Sequence, residues 1–247
     1  MQEIQTEWIT LNVADGTAMR GYVARPQDSA RHTGLLVFQE AFGVNGHIRD
    51  VTERLARGGY IAVAPELFHR TAPGFEGAYT NFEAVMPHVR ALTDRNLEAD
   101  VASAYEWLRA DPGTQGLPIA CIGFCMGGRV TFLTNVLLPV KAAISFYGGG
   151  IAPNPFGPGL LSRAGDLHAP QMFFWGGLDK HIGPEQTHAV TEALRAAGKP
   201  FVNVEFSDAD HGFFCDARSS YNPSAARQAW ALTLTFLNIY APCSADL

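Results

Sequence analysis

The chain has 247 residues, 47% of them hydrophobic and 17% charged, which suits one globular domain over 1–247 and excludes a disordered chain. A formal net charge of -6 with dispersed cations excludes a nucleic-acid surface, because phosphate contacts need clustered Lys and Arg. Residues 1–10 lack a basic n-region and an apolar h-region, and no apolar run approaches the roughly 20 residues of a membrane helix, so the expected location is cytoplasmic, without a membrane partner. Four cysteines without zinc-finger spacing read as free thiols, so neither a metal nor a cofactor is expected.

In chain order, the stretches Trp8 to Val13 and Met19 to Arg25 flank Asp15-Gly16 and predict an antiparallel hairpin. Continuous apolar runs follow at Gly34 to Phe38, Tyr60 to Ala64, Ile119 to Phe124, Ala142 to Tyr147, Gln171 to Trp175 and Phe201 to Phe206. Such runs read as strands buried on both faces. Leu97, Val101, Ala104 and Leu108 share one face of a helix. Further helices are predicted over Arg129 to Leu137, from Pro184 to a stop at Gly198-Lys199-Pro200, and from about Ser224 to Tyr240. This alternation predicts an α/β fold: a mostly parallel, doubly wound sheet with helices on both sides and the hairpin at one edge. Residues 66–92 show no clean periodicity and read either as a cap over a site or as an irregular surface crossing.

The sharpest signal is Gly123-Phe124-Cys125-Met126-Gly127-Gly128, placed between a predicted strand and a predicted helix. A strand ending in G-x-nucleophile-x-G and turning into a helix is a nucleophile elbow. The tight turn needs glycine on either side, and the helix N-terminus favours a thiolate over a thiol. The competing reading is a buried structural cysteine. A dinucleotide loop fails, because Cys125 stands where its middle glycine would be, and no G-K-[ST] marks a phosphate loop.

Asp179 follows the strand at Gln171 to Trp175, and His211 follows the strand at Phe201 to Phe206. Nucleophile, acid and histidine in that chain order, each after a strand, is the α/β-hydrolase arrangement. His181 and His188 are weaker base candidates, lying on the acid's own loop and the next helix; Asp208 and Asp210 adjoin His211 too closely to reach its far nitrogen. The backbone N–H groups of Met126 and Ala41 are the candidate oxyanion donors. Glu40, beside Ala41, needs another task or a neutralising partner, since a carboxylate repels a developing oxyanion.

These residues resemble the dienelactone hydrolase family. The likeness rests on Gln39-Glu40-Ala41-Phe42-Gly43-Val44-Asn45, the Cys125 motif, Gly176-Gly177-Leu178-Asp179, and His211-Gly212-Phe213 with Arg218 and Tyr221 behind it, and it runs from Gly34 to the final helix. It implies a cysteine-dependent hydrolase of a small ester or lactone, carboxymethylenebutenolidase-type, working through an acyl-enzyme; separately, the expected partner is a small-molecule substrate and the expected state a monomer or homodimer. Cys125 would be the nucleophile, His211 the base and Asp179 the acid, with Glu40 holding or activating the resting cysteine. Phe42, Tyr147 and Arg218 are the candidate substrate contacts. The family's best-studied activity opens dienelactone, whose carboxylate is clamped by arginines, one of them four residues after the histidine. Cys215 stands at that place here, Arg218 is the nearest arginine, and Arg70, Arg90 and Arg95 are loose candidates for the second clamp. The alternative from another class is a non-catalytic small-ligand binder or a thiol redox sensor built on Cys125, which has no need of Asp179 and His211.

Overall fold

The computed structural model describes residues 2–155 and 157–243. Two compact units make up the chain: Met1–Ala120 with the segment from Ala241, and Cys121–Tyr240.

The first unit holds β1 (Ile4–Asn12), β2 (Ala18–Pro26), β3 (Gly34–Phe38) and β4 (Ile61–Pro65), side by side in the order β1-β2-β4-β3. The β1-β2 and β2-β4 pairs are antiparallel and β3-β4 is parallel. The predicted hairpin turns on Gly16 at φ 86°, a region that favours glycine, while Asp15 accepts from the Thr17 N–H and hydroxyl. Every residue of β3 and β4 is buried, whereas β1 is an edge strand with most residues exposed. Arg20 covers Trp8 there, its guanidinium 4.0 Å from the ring centre.

Helix α1 (Gly46–Arg57) packs Ile48, Val51 and Leu55 against β2 and β4. Its N-cap is Asn45, which accepts from the Ile48 N–H at 3.2 Å. Helix α3 (Asp94–Ala110) buries Leu97, Val101, Ala104 and Leu108, the face that their spacing predicts. Within 66–92 the chain forms turns and then α2 (Phe82–Ala91). Periodicity hid this helix because Val85 is its one buried residue and Pro87, a helix breaker by propensity, sits inside it. The segment packs on the turn after β3. Gly77 donates to the Phe42 carbonyl at 3.0 Å, and the Phe42 ring meets Tyr79 and Phe82 edge-on at 4.6 and 5.4 Å. Gly43, at φ 81°, is required here, because a Cβ would fall 1.9 Å from the Phe75 carbonyl oxygen.

The second unit takes up β5 (Ile119–Phe124) from Cys121 onward, then β6 (Ala143–Phe146), β7 (Gln171–Gly176) and β8 (Phe201–Phe206), in that order and all parallel. Helices α4 (Met126–Leu137), α5 (Pro184–Ala196) and α6 (Pro223–Tyr240) alternate with them, and a 3-10 turn covers Leu161–Asp166. Strands β5, β6 and β7 are buried throughout, and Phe146 gathers Phe124, Phe174 and Phe214 within 4.8 Å between ring centres. β8 departs from the expected fully buried run. Its residues are all exposed or half-buried, Val202 being 38% exposed. Among the described residues no helix is long and apolar enough to cross a membrane.

Candidate active site

β5 ends at Phe124 and α4 begins at Met126, so Cys125 makes the strand-to-helix turn by itself at φ 53°, ψ -117°. Such backbone costs a non-glycine residue of order 1–3 kcal/mol and persists where the surroundings enforce it. Two glycines provide the room. A Cβ on Gly123 would lie 2.0 Å from the Gly127 carbonyl oxygen, and one on Gly128 would lie 2.7 Å from the Gly148 Cα. Cys125 is half-buried at the N-terminus of α4 and makes no side-chain cap bond. As the first helical residue, Met126 has an N–H with no acceptor inside the helix, leaving it to a ligand or water.

The loops after β7 and β8 carry the other two groups. His211 Nδ1 lies 2.7 Å from Asp179 Oδ2. The other carboxylate oxygen, Oδ1, accepts from the N–H groups of His181 at 2.7 Å and Ile182 at 3.1 Å, so the carboxylate cannot rotate away. Burial would raise the Asp179 carboxyl, but the hydrogen bond and charge of His211 outweigh it, helped by the two N–H groups, and the net shift is downward. The Cys125 side chain lies near enough to His211 to act on its pKa through charge and hydrogen bonding. Burial alone would make His211 a weaker base. The negative charge of a Cys125 thiolate and the hydrogen bond from Asp179 reverse this and push it up to about 10.

The thiol four residues earlier in the chain is inert by environment: Cys121 is fully buried on β5, and burial pushes its pKa far up. The competing acids are occupied elsewhere. Asp210 accepts the His211 backbone N–H at 2.6 Å, and Asp208 takes the Asn222 side-chain amide at 3.2 Å. Glu40 and Ala41 occupy the turn after β3, 1% and 8% exposed.

Two of the three expected substrate contacts are enclosed. Phe42 and Tyr147 are 1% and 0% exposed, so neither presents surface to a substrate in this structure. Phe42 packs under Tyr79 and Phe82, whereas Tyr147 lays its ring 5.1 Å from that of His211. Arg218 lies against the backbone beside the base, and a Cβ on Gly212 would fall 2.3 Å from its guanidinium. Arg70 is not available as a carboxylate clamp. It pairs both Nη atoms with buried Asp100 at 2.9 and 2.7 Å and also bonds Asp15. Arg90 and Arg95 are exposed.

Two residues near the base have contacts that sequence reasoning did not assign. His181, a weaker base candidate on the acid's own loop, meets the His211 ring edge-on at 5.4 Å. Asn222 fastens the His211 loop. Its N–H donates to the Phe213 carbonyl, its side-chain amide donates to Asp208, and its Oδ1 caps α6 at Ser224 and Ala225. Asn followed by Pro at a helix start was the signal available for it.

A parallel β/α succession with a cysteine elbow after one strand, and an acid and a histidine after two later strands, defines an α/β-hydrolase. The dienelactone hydrolase family model matches residues 19–241, and the chain belongs to that family. A Synechocystis protein named as a carboxymethylenebutenolidase is 38% identical over 92% of this chain and 94% of its own length. An Escherichia coli protein with the same name is 35% identical, over 92% and 84%. Among solved structures, one from Klebsiella pneumoniae named as a dienelactone hydrolase superposes with a TM-score of 0.86 at 32% identity, covering 96% of this chain and all of that one.

Proposed function

We propose that this hydrolase opens a small ester or lactone with Cys125 as nucleophile, His211 as acid and base, and Asp179 as the group that orients His211. The observation that carries the reading is the 2.7 Å hydrogen bond between Asp179 and His211, with Cys125 held at the elbow and acting on the same imidazole. Relatives named as carboxymethylenebutenolidases support a lactone as the substrate class. The unbroken family match over 19–241 supports treating the chain as one functional unit.

In this mechanism the Cys125 thiolate attacks the carbonyl carbon, and the electron pair moves to the carbonyl oxygen, which the Met126 N–H stabilises. Collapse expels the alkoxide or enolate oxygen, which takes the proton from His211 and leaves a thioester on Cys125. Neutral His211 then removes a proton from water, the resulting hydroxide attacks the thioester, and Cys125 leaves as thiolate with His211 protonated again. Asp179 keeps the Nδ1 proton in place throughout, so that the far nitrogen does the transfers. Ala41 as second oxyanion donor and Glu40 as the residue governing the resting cysteine enter from the family resemblance.

Cys125→Ala is expected to abolish hydrolysis of p-nitrophenyl acetate, and Cys125→Ser to retain a small fraction. Full turnover by the alanine variant overturns the proposal. Rapid alkylation of Cys125 without turnover across a panel of esters and lactones would favour a thiol sensor instead. Glu40→Gln that changes neither alkylation rate nor turnover removes Glu40 from the mechanism.

A further inference from the structure

His181 lies two residues beyond Asp179, at the start of the loop into α5, and its side chain is exposed. Its backbone N–H makes the 2.7 Å bond to Asp179 Oδ1. Its imidazole meets His211 at 5.4 Å between centroids with the planes 80° apart. Tyr147 also meets the His211 ring, at 5.1 Å and 59°. His211 therefore has a wholly buried aromatic contact in Tyr147 and a solvent-facing one in His181, while Asp179 holds its Nδ1.

This arrangement meets a specific need of the mechanism. A base bonded at Nδ1 keeps one rotational freedom, a swing about the line of that bond which carries the other nitrogen off the sulfur. Hydrogen bonds to the two nitrogens restrain this swing weakly once the sulfur is consumed in a thioester, because the bond on that side is then gone. Ring contacts persist through the whole cycle. Tyr147 is fixed by its own packing against Phe124, Phe146 and Phe213. His181 closes the open side.

We propose that His181 is a positioning residue. Its ring holds the plane of His211 both beside the resting Cys125 and while Cys125 carries the acyl group, and it acts through the aromatic contact rather than through its nitrogens. This rests on the mechanism proposed above, so the test includes a readout that needs no turnover. Losing an edge-on ring contact of this kind predicts an effect of roughly fivefold.

The experiment compares wild type, His181→Ala and His181→Phe for kcat and KM on p-nitrophenyl acetate, and for the second-order rate of Cys125 alkylation by iodoacetamide. The expected result for His181→Ala is a kcat lowered about fivefold, KM within twofold, and a slower alkylation. His181→Phe, which keeps a ring and deletes both nitrogens, restores kcat and alkylation to within twofold of wild type. Two outcomes overturn the proposal: an alanine variant with unchanged alkylation and kcat, or a phenylalanine variant as impaired as alanine with KM raised, which would make the imidazole a substrate contact. If wild type itself hydrolyses no ester or lactone, the proposed function fails, while alkylation still decides whether His181 acts on the His211–Cys125 pair.

Discussion

Asp179 uses both carboxylate oxygens: Oδ2 holds His211 Nδ1 at 2.7 Å while Oδ1 is pinned by the N–H groups of His181 and Ile182. The division separates two jobs. One oxygen builds the loop, and the other sets the tautomer and orientation of the base.

Asp179→Asn tests that separation. The amide oxygen can keep the two backbone bonds at Oδ1, so the fold should be retained and the unfolding midpoint should change little. The amide nitrogen then faces His211 Nδ1 as a donor and selects the wrong tautomer. In serine proteases the same exchange lowers kcat about 10⁴-fold, and a loss of at least ~10² is expected here, read from kcat at neutral pH.

The pH behaviour follows from His211. Its pKa is raised from the ordinary 6.5 to about 10, chiefly because the Cys125 thiolate and Asp179 outweigh burial. A raised basic group stabilises the fold fully below its unfolded pKa, and that contribution fades as pH rises through the folded value. Turnover should therefore persist through mildly alkaline pH and fall as His211 loses its proton near 10. Cys125→Ala removes the thiolate charge, so NMR titration of His211 should give a lower midpoint than in wild type protected from oxidation. An unchanged midpoint would mean that no thiolate faces the ring.

Gly123 and Gly128 define how closely β5, α4 and the chain after β6 approach. Gly123→Ala places a Cβ 2.0 Å from a backbone carbonyl oxygen that cannot move without unwinding the first turn of α4. A destabilisation of about 3 kcal/mol or more is expected, since overpacking that displaces backbone costs typically 1–3 kcal/mol and sometimes more. Urea denaturation followed by circular dichroism measures it.

Asn222 and Asp208 allow an exchange experiment. Asn222→Asp keeps the oxygen that caps α6 but sets two carboxylates 3.2 Å apart where an amide donated before. A loss of about 0.5–1.5 kcal/mol in stability and a lower kcat are expected, the magnitude of one hydrogen bond. Adding Asp208→Asn reverses donor and acceptor and should recover most of both. A double variant no better than the single one would show that the side-chain pair does not hold the His211 loop.

Local chemistry alone made the strands, the elbow and the order of Cys125, Asp179 and His211 legible, because backbone sterics and strand-end placement are written into short segments. The Asp15-Gly16 turn, the glycines around Cys125 and the Leu97-to-Leu108 face need no distant partner to be recognised. Burial and pairing were not legible in that way. β8 has an apolar sequence yet half its residues are exposed, Phe42 and Tyr147 look like site residues yet are enclosed, and Arg70 looks free yet is committed to Asp100. The same holds for His181, whose contact with His211 joins residues thirty apart. Each of these depends on which groups the tertiary fold brings within a few ångströms, and no periodicity in the chain encodes that distance.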